Sequence, residues 1–485
     1  MNSNLRFSKV FRVCGWLLLL EASFMVLPAV VSLCYGEDDW WTFLLSGAAA
    51  AGAGGAAAYL FRKSPARLNR QDAMLLTTLV WILFSFFGML PFITGPLHAD
   101  AASAFFETMS GLTTTGATVI TDVEAQTHGL LFWRALIQWI GGLGIILFIL
   151  AVLPALNQDG GISMFNAEMT GISHDKLHPR IRQTAKSLWE IYTLLTLALM
   201  LLLIPSSMNG FDIVCQSLTT LSTGGFSTSN SSIAGFHSPY AASVITVFML
   251  LGGVNFSLLY CLIRGKWRLL RTNTVLKTYI GMVISIYFLI LLSLILQGKA
   301  TDADSALLQP FFLIASAITT TGFSYGDFSA WGAPTLTLVL LMMLTGACAG
   351  STTGAVKIDR LTALFKHVRG QTMLSIYPHR IARVNINGKP LEEGRMSRIT
   401  AFIAIYISLI AAATLTVCFC GFSFTDSLFA VTSCIGNNGL GYGATAGSFM
   451  PMPAGIKWML SALMLTGRLE IFTVAAILIP AFWRR

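Results

Sequence analysis

The segment FFLIASAITTTGFS (311–324) joins an apolar stretch to a run of threonines and a glycine, and it lies between two long apolar runs. Three other segments share this plan, namely FFETMSGLTTTGAT (105–118), IVCQSLTTLSTGGFS (213–227) and SLFAVTSCIGNNGLG (427–441). Successive segments are about 100 residues apart, which indicates an internal repeat. The sequence therefore predicts four similar structural units.

The composition is that of a membrane protein. Hydrophobic residues make up 55% of the 485 residues, charged residues only 11%, and the mean hydropathy is +0.70, whereas about 25% of the residues of a typical soluble domain are charged. A membrane helix needs about 20 apolar residues, and the sequence has ten runs of that order. These runs lie near 10–35, 42–61, 73–95, 130–153, 184–204, 241–263, 275–297, 333–360, 399–421 and 454–482.

After the first pair of runs, the remaining runs form four pairs, and each pair encloses one of the four repeated segments. Such a segment is too short to cross the membrane twice, but it suits a short helix followed by a re-entrant loop. Non-helical backbone at membrane depth is tolerated only where it is buried in protein or lines a water-filled cavity. We therefore predict an all-α polytopic membrane protein in which four pseudo-repeats of helix, pore helix, filter loop and helix surround a central pore, with an additional N-terminal pair of membrane helices. The predicted units are the N-terminal helix pair (1–70) and the pore repeats 71–158, 159–268, 269–395 and 396–485.

The distribution of charge predicts the orientation in the membrane. Most of the 31 Lys and Arg residues lie in short polar segments that alternate with segments rich in acids, and the longest basic segment is 357–398. Basic segments remain on the cytoplasmic side, so both termini should be cytoplasmic and the four repeated segments should face outward. A net charge of +9 could indicate a nucleic-acid partner, but its placement between apolar runs favours the membrane surface and lipid head groups.

Aligned on their glycine, the four loops match at three consecutive positions. The aligned residues are Thr114, Thr115 and Gly116; Ser222, Thr223 and Gly224; Thr320, Thr321 and Gly322; and Asn437, Asn438 and Gly439. Glycine permits backbone conformations in which consecutive carbonyl groups point inward and replace the hydration shell of an ion. The short preceding helix directs its negative end to the same centre. One such loop could be a polar surface turn, but four uncharged copies at matched positions favour a cation pore lined by carbonyl dipoles.

Further motifs resemble the Trk/Ktr/HKT superfamily of potassium transporters, and specifically its TrkH family. The motifs are QWIGGLGI (138–145), DKLHPRIRQTAKSLWEIY (175–192), GACAGSTTGAVKIDR (346–360) and GRLEIFT (467–473). The extra N-terminal helix pair is also typical of the TrkH family. One departure is Leu440, because many relatives have proline after the fourth filter glycine.

The resemblance implies potassium uptake across the bacterial inner membrane through a channel-like pore that is gated below its filter. The aligned loop residues would be the filter and would bind potassium, the transported ion, mainly through backbone carbonyls. The resemblance implies no catalytic cofactor. It also implies a homodimer and a cytosolic nucleotide-binding regulatory subunit of the TrkA type, for which the basic segment 357–398 is the expected docking surface.

The segment GACAGSTTGA (346–355) interrupts an apolar run with glycines and hydroxyl side chains, which lower helix stability and free backbone groups. We expect a break in the helix here, and the resemblance implies a flexible intramembrane loop that acts as a gate. The alternative is close helix packing through small residues. The gate residues that the resemblance implies are Gly346, Ala347, Gly350, Ser351, Thr352, Thr353 and Gly354.

Arg468 lies in the middle of the last apolar run. An arginine at that depth costs at least about 2.5–3.5 kcal/mol, so its side chain should face a partner or a wet cavity. Glu470 is a poor partner, because residues two apart do not share a helix face. We predict that Arg468 projects into the pore below the filter and raises the barrier to cations, and the alternative is a structural ion pair with another helix.

Two other classes of function fit the sequence less well. A secondary transporter that couples potassium uptake to sodium or protons would normally show carboxylates at the bilayer midplane and inverted repeats, whereas these repeats run parallel and Glu470 is the only acid predicted at the midplane. A membrane-embedded enzyme would need a convergent acid, base or metal cluster. None of the 7 histidines lies within an apolar run, so we predict that the protein is not an enzyme.

Overall fold

The computed structural model describes residues 3–64, 69–144, 181–299, 304–379 and 383–483. Within these ranges the regular structure is helical, apart from one antiparallel hairpin between β1 (Asn385–Ile386) and β2 (Lys389–Pro390). The all-α prediction is therefore confirmed. The predicted boundary at 158/159 and the end of the run near 130–153 lie outside the described residues.

The helices of the described residues follow the predicted order. They are α1 (Ser3–Tyr35), α2 (Trp40–Leu60), α3 (Arg70–Gly88), α4 (Leu90–Thr94), α5 (Ala101–Leu112), α6 (His128–Gly142), α7 (Ile181–Leu203), α8 (Gly210–Leu221), α9 (Pro239–Gly252), α10 (Phe256–Ile263), α11 (Trp267–Thr272), α12 (Thr274–Leu296), α13 (Gln309–Ile318), α14 (Ala333–Thr345), α15 (Ile358–Ile376), α16 (Glu393–Phe419), α17 (Phe424–Gly436), α18 (Ala454–Arg468) and α19 (Ile471–Leu478).

Several of these helices are long and apolar enough to cross a membrane. Among the described residues there are 6 such helices, or up to 8 spans if each bent pair is counted as one. Helices dominate because the bilayer core offers no water to the backbone, so every N–H and C=O must be satisfied within the protein. The protein is thus a multi-pass membrane protein.

The N-terminal helix pair is held together by small residues. A Cβ added at Gly15 of α1 would lie 2.6 Å from the carbonyl oxygen of Gly54 in α2, so the two backbones are in direct contact. Close backbone approach through small residues is how membrane helices gain packing energy. The pair is joined to the first repeat by Glu37, whose carboxylate accepts hydrogen bonds from the backbone N–H groups of His128 (2.9 Å) and Gly129 (3.3 Å) at the start of α6.

Four short helices do not cross the membrane and end inside the protein. These pore helices are α5, α8, α13 and α17, and most of their residues are buried. Three begin with a side-chain cap, because Asp100, Asn209 and Ser423 accept hydrogen bonds from backbone N–H groups of the first turn. Such caps satisfy donors that a helix leaves unpaired at its start.

Within the described ranges, the helix that follows the pore helix is broken in the second, third and fourth repeats. The predicted break in the third repeat is confirmed, because α14 ends at Thr345 and α15 starts at Ile358. The structure adds two breaks that the sequence did not predict: α9 and α10 meet at 106°, and α18 and α19 meet at 116°. At the first of these, the side chain of Asn255 caps α10 by accepting a hydrogen bond from the N–H of Ser257 (2.8 Å).

Candidate ion-conduction site

The pore helices end in turns of one common geometry. The first residue of each turn has a left-handed backbone, with φ of +55° at Thr114, +53° at Thr223, +53° at Thr320 and +51° at Asn437. Asparagine adopts this conformation with little strain, but a left-handed conformation costs a β-branched residue about 1–2 kcal/mol. Strain repeated at three equivalent threonines is typical of a functional site.

The second residue of each turn closes the pore helix with one backbone hydrogen bond. Its N–H donates to the carbonyl oxygen five residues earlier in all four repeats. The bonds are Thr115 to Ser110 (2.8 Å), Gly224 to Thr219 (2.9 Å), Thr321 to Ser316 (2.9 Å) and Asn438 to Ser433 (2.9 Å). The four turns are therefore structural equivalents, although their sequences differ.

The third residue of each turn is a glycine in the left-handed region. The glycines are Gly116 (φ +82°), Gly225 (+82°), Gly322 (+86°) and Gly439 (+84°). The sequence alignment of the second repeat was therefore wrong by one residue, because the equivalent triplet is Thr223, Gly224 and Gly225.

Ser222, which the alignment placed in the filter, instead caps the end of α8 with φ of −69° and corresponds to Thr113. The signal was present in the sequence, because Gly225-Phe226-Ser227 matches Gly322-Phe323-Ser324. The alignment instead used Gly224 as the counterpart of Gly322.

The four turns close into a ring. A Cβ added at Gly116 would lie closer than 3.0 Å to the carbonyl oxygen of Gly224, a separation that real Cβ atoms essentially never show. The same holds in turn for Gly225 against Thr321, Gly322 against Asn438, and Gly439 against Thr115. The contacts thus run from repeat 1 through 2, 3 and 4 and back to 1. We call the carbonyl groups of Thr115, Gly224, Thr321 and Asn438 the carbonyl ring.

The side chains of the ring residues are occupied by the surrounding protein. The hydroxyl of Thr115 lies 2.8 Å from that of Thr113, and the hydroxyl of Thr321 lies 2.7 Å from that of Thr319. Asn438 donates from Nδ2 to the carbonyl oxygen of Ala317 (2.7 Å). Each of these three side chains is thus hydrogen-bonded to a neighbouring protein group.

A buried ion pair lies behind the first two turns. Arg134 of α6 donates from Nε to Glu107 of α5 (2.9 Å), and the side chains are 2% and 0% exposed. Glu107 also accepts from the hydroxyl of Thr118 (2.9 Å) and the N–H of Val119 (2.8 Å), and Arg134 donates to the carbonyl oxygen of Ser227 (3.2 Å). The pair therefore ties the chain after the first turn to the chain after the second.

The sequence analysis did not predict this pair. The available signal was an acid inside an apolar pore helix and an arginine inside the following apolar run. Charges at such positions require partners.

The broken segment of the third repeat packs directly against the turns. The N–H of Gly354 donates to the hydroxyl of Thr320 (3.0 Å), and the hydroxyl of Thr223 donates to that of Thr352 (3.0 Å). We call residues 346–357 the gate loop. Its backbone runs through two left-handed glycines, Gly346 (φ +66°) and Gly350 (φ +75°), where a side chain would introduce strain.

The gate loop is also bonded to the break of the second repeat. Asn255 donates from Nδ2 to the carbonyl oxygen of Ala349 (2.7 Å), and the N–H of Cys348 donates to the carbonyl oxygen of Gly253 (3.1 Å). Ala347 accepts from the N–H of Ile358 at the start of α15 (2.9 Å). The loop is therefore held by hydrogen bonds to the turns and to the break of the second repeat, and α15 continues directly from its end.

Arg468 reaches the gate loop from the fourth repeat. One guanidinium nitrogen donates to the carbonyl oxygen of Thr352 (2.6 Å), and another donates to those of Gly141 and Gly142 at the end of α6 (both 2.6 Å). These bonds join three repeats at one side chain.

Glu470 forms an ion pair with Arg360 of α15. A cavity lies beside these groups. Its lining residues include Trp81, Gly144, Ser351, Lys357, Arg468 and Glu470.

Four re-entrant helices, a closed ring of left-handed glycine turns and a broken segment packed against it define a polytopic membrane protein built around a central pore. The family described as "TrkH: Cation transport protein" matches residues 42–484. The chain belongs to this TrkH family.

The relatives cover nearly the whole chain. The Trk system potassium uptake protein TrkH of Escherichia coli (strain K12) is 33% identical over 487 residues, covering 99% of this chain and 100% of its own. The Trk system potassium uptake protein TrkG of the same organism is 34% identical and covers 98% of each chain. The crystal structure of the potassium transporter TrkH from Vibrio parahaemolyticus matches with a TM-score of 0.89 at 29% identity and covers 99% of this chain and 100% of that one.

Proposed function

We propose that this protein takes up potassium across the inner membrane of a bacterium through a channel-like pore. The observation that carries the proposal is the carbonyl ring, in which four turns from distant parts of the chain contact one another in cyclic order. The names of the relatives support potassium as the ion. The orientation predicted from charge places the ring on the outer side, with both termini in the cytoplasm.

The ring selects the ion by replacing its hydration shell with carbonyl oxygens. Each pore helix contributes the negative end of its dipole, equivalent to about half an elementary charge, and no residue of the turns carries a formal charge. The site therefore attracts a cation, but it binds the ion weakly enough for the ion to leave. The proposed filter residues are Thr114, Thr115, Gly116, Thr223, Gly224, Gly225, Thr320, Thr321, Gly322, Asn437, Asn438 and Gly439.

Transport through such a pore needs no catalytic step and no catalytic cofactor. The membrane potential draws a monovalent cation inward with about 2.3 kcal/mol per 100 mV. Exposed acids on the filter side, such as Asp122 and Glu124, raise the local concentration of cations. Potassium is thus the transported substrate.

The gate loop is proposed to block the pore in the conformation described. Its contacts with Thr320 and Thr223 place it under the filter, and Arg468 holds its backbone at Thr352. Lys357 and Arg468 add positive charge to the cavity below, which raises the electrostatic barrier to a cation. Opening requires these hydrogen bonds to break.

Regulation is proposed to act through α15. This helix starts at the end of the gate loop and extends into the basic segment 357–398, so a force on its far end reaches the loop without a flexible joint. A cytosolic nucleotide-binding subunit of the TrkA type is the proposed partner at this segment. A homodimer is proposed on family grounds, and anionic lipid is a further partner for the basic residues.

The test is ion flux through the purified protein in liposomes, with potassium, rubidium, sodium and lithium compared. We expect potassium and rubidium to pass and sodium and lithium to be disfavoured, and equal flux of all four would refute a selective filter. A reversal potential that shifts with a proton or sodium gradient would instead favour the coupled transporter.

A further inference from the structure

The second turn lacks a side chain that the other three turns possess. Thr115, Thr321 and Asn438 each use their side chain to bond to a neighbouring group, whereas the equivalent residue of the second turn is Gly224. Gly224 is followed by Gly225, so this quarter of the ring has two consecutive residues without Cβ. Glycine loses more conformational freedom on ordering than any other residue, so this turn needs support from elsewhere.

Gln138 of α6 fills the empty position. A Cβ added at Gly224 would meet three atoms of the Gln138 carboxamide, with Nε2 at 2.9 Å. The side chain is fully buried. The volume that a threonine or asparagine occupies in the other turns is therefore occupied by a residue from the neighbouring repeat.

Gln138 also bonds to the backbone on both sides of the filter glycine. Its Nε2 donates to the carbonyl oxygen of Gly224 (2.7 Å), and its Oε1 accepts from the N–H of Phe226 (3.1 Å). Gly225 lies between these two bonds. A carboxamide is suited to this role, because it offers a donor and an acceptor in one rigid plane.

We propose that Gln138 is a positioning residue for ion selectivity, which supplies from α6 the side chain that the second turn lacks and so holds the Gly224 carbonyl in the ring. This inference rests on the proposed function, since it assumes that the ring selects the ion. Removing the carboxamide leaves one carbonyl in four free to reorient. The field at the ion then weakens on one side, and a smaller cation is excluded less well.

The first test replaces Gln138 by leucine, which keeps most of the volume and removes both hydrogen bonds. We expect the potassium-to-sodium flux ratio in liposomes to fall about tenfold, equivalent to about 1.4 kcal/mol. The matched control is Trp139→Phe, which removes a partly buried hydrogen bond of the next residue to Thr196 (3.1 Å) without touching the ring. The control should keep the parent's flux ratio.

The second test moves the missing side chain back into the turn. Gly224→Thr alone should disrupt the filter, because the new side chain collides with Gln138. The double variant Gln138→Ala and Gly224→Thr makes the second turn resemble the first and third, and its flux ratio should return to within about threefold of the parent, which is about 0.7 kcal/mol. A purely structural role of Gln138 would not produce this rescue.

Protection by the ion gives a readout that does not depend on flux. The parent should melt at a higher temperature in potassium than in sodium, because a ligand of the folded state stabilises it, and Gln138→Leu should lose that difference.

If Gln138→Leu does not fold, Gln138→Met and the double variant decide the same question. An unchanged flux ratio in a folded Gln138 variant, while Gly322→Ser lowers it, would overturn the inference alone. Unchanged ratios in both would overturn the proposed function.

Discussion

Replacing Gly322 by serine should open the carbonyl ring at one of its four contacts. A Cβ at this position would lie closer than 3.0 Å to the carbonyl oxygen of Asn438, whereas ordinary van der Waals contact begins at 3.4 Å. The ring must therefore widen by at least 0.4 Å between the third and fourth repeats. The φ of Gly322 is +86°, and a residue with a side chain is strained there by about 1–2 kcal/mol.

The expected consequence is a loss of discrimination. The displaced carbonyl can no longer complete the shell around the ion, and an energy difference of about 1.4 kcal/mol between potassium and sodium corresponds to a factor of ten. We expect the potassium-to-sodium flux ratio in liposomes to fall by about that factor. Because the rest of the protein is unaltered, sodium flux should rise while the folded protein is still obtained.

The control for this variant is Gly281→Ser in α12. Gly281 lies in a membrane helix, and a Cβ added there would meet nothing within 4 Å. The same chemical change should therefore leave flux and selectivity as in the parent. A folded Gly322→Ser protein with the parent's flux ratio would refute the reasoning, because the ring would then not select the ion.

Three other variants probe the gate, the buried ion pair and the N-terminal pair. Arg468→Ala removes the donors that hold the gate loop. Because hydrogen bonds to charged groups contribute about 1.5–3 kcal/mol each, potassium flux should rise about tenfold. Unaltered flux would contradict the proposal that Arg468 holds the gate loop in the blocking position. Glu107→Gln leaves the buried guanidinium of Arg134 without its counter-charge and should lower the free energy of unfolding by about 3–5 kcal/mol. The measurement is thermal unfolding in detergent, and a melting temperature equal to the parent's would show that the ion pair is dispensable. Gly15→Leu should reduce the yield of folded protein, because α1 touches the backbone of α2 at this residue. The control Gly52→Leu should not reduce the yield, because a Cβ there meets nothing within 4 Å. Equal yields of the two variants would argue against close packing of the helix pair.

The sequence alone was sufficient for the features that depend on local composition. Apolar runs long enough to span a bilayer must become helices, because the membrane leaves the backbone no other partner. The polar glycine turns and the break at 346–355 were predicted because threonine and glycine are poor continuations of an apolar helix. The repeat then placed these local features in a fourfold arrangement, which the structure of the described residues reproduces.

Tertiary structure alone decided which atoms meet. Gly224 and Gly225 are neighbours of the same type, and in the folded protein it is Gly225 that is left-handed and approaches Thr321 of the next repeat. Likewise, the sequence left the partners of Arg468 open, and its bonds go to the carbonyl oxygens of Thr352, Gly141 and Gly142. The three partners of Arg468 are more than a hundred residues away from it in the chain, so no local sequence pattern predicts them. Local sequence thus determines which residues form helices. Which residue of each turn enters the ring, and which groups its buried polar side chains bond to, are decided only when the four repeats close around one axis.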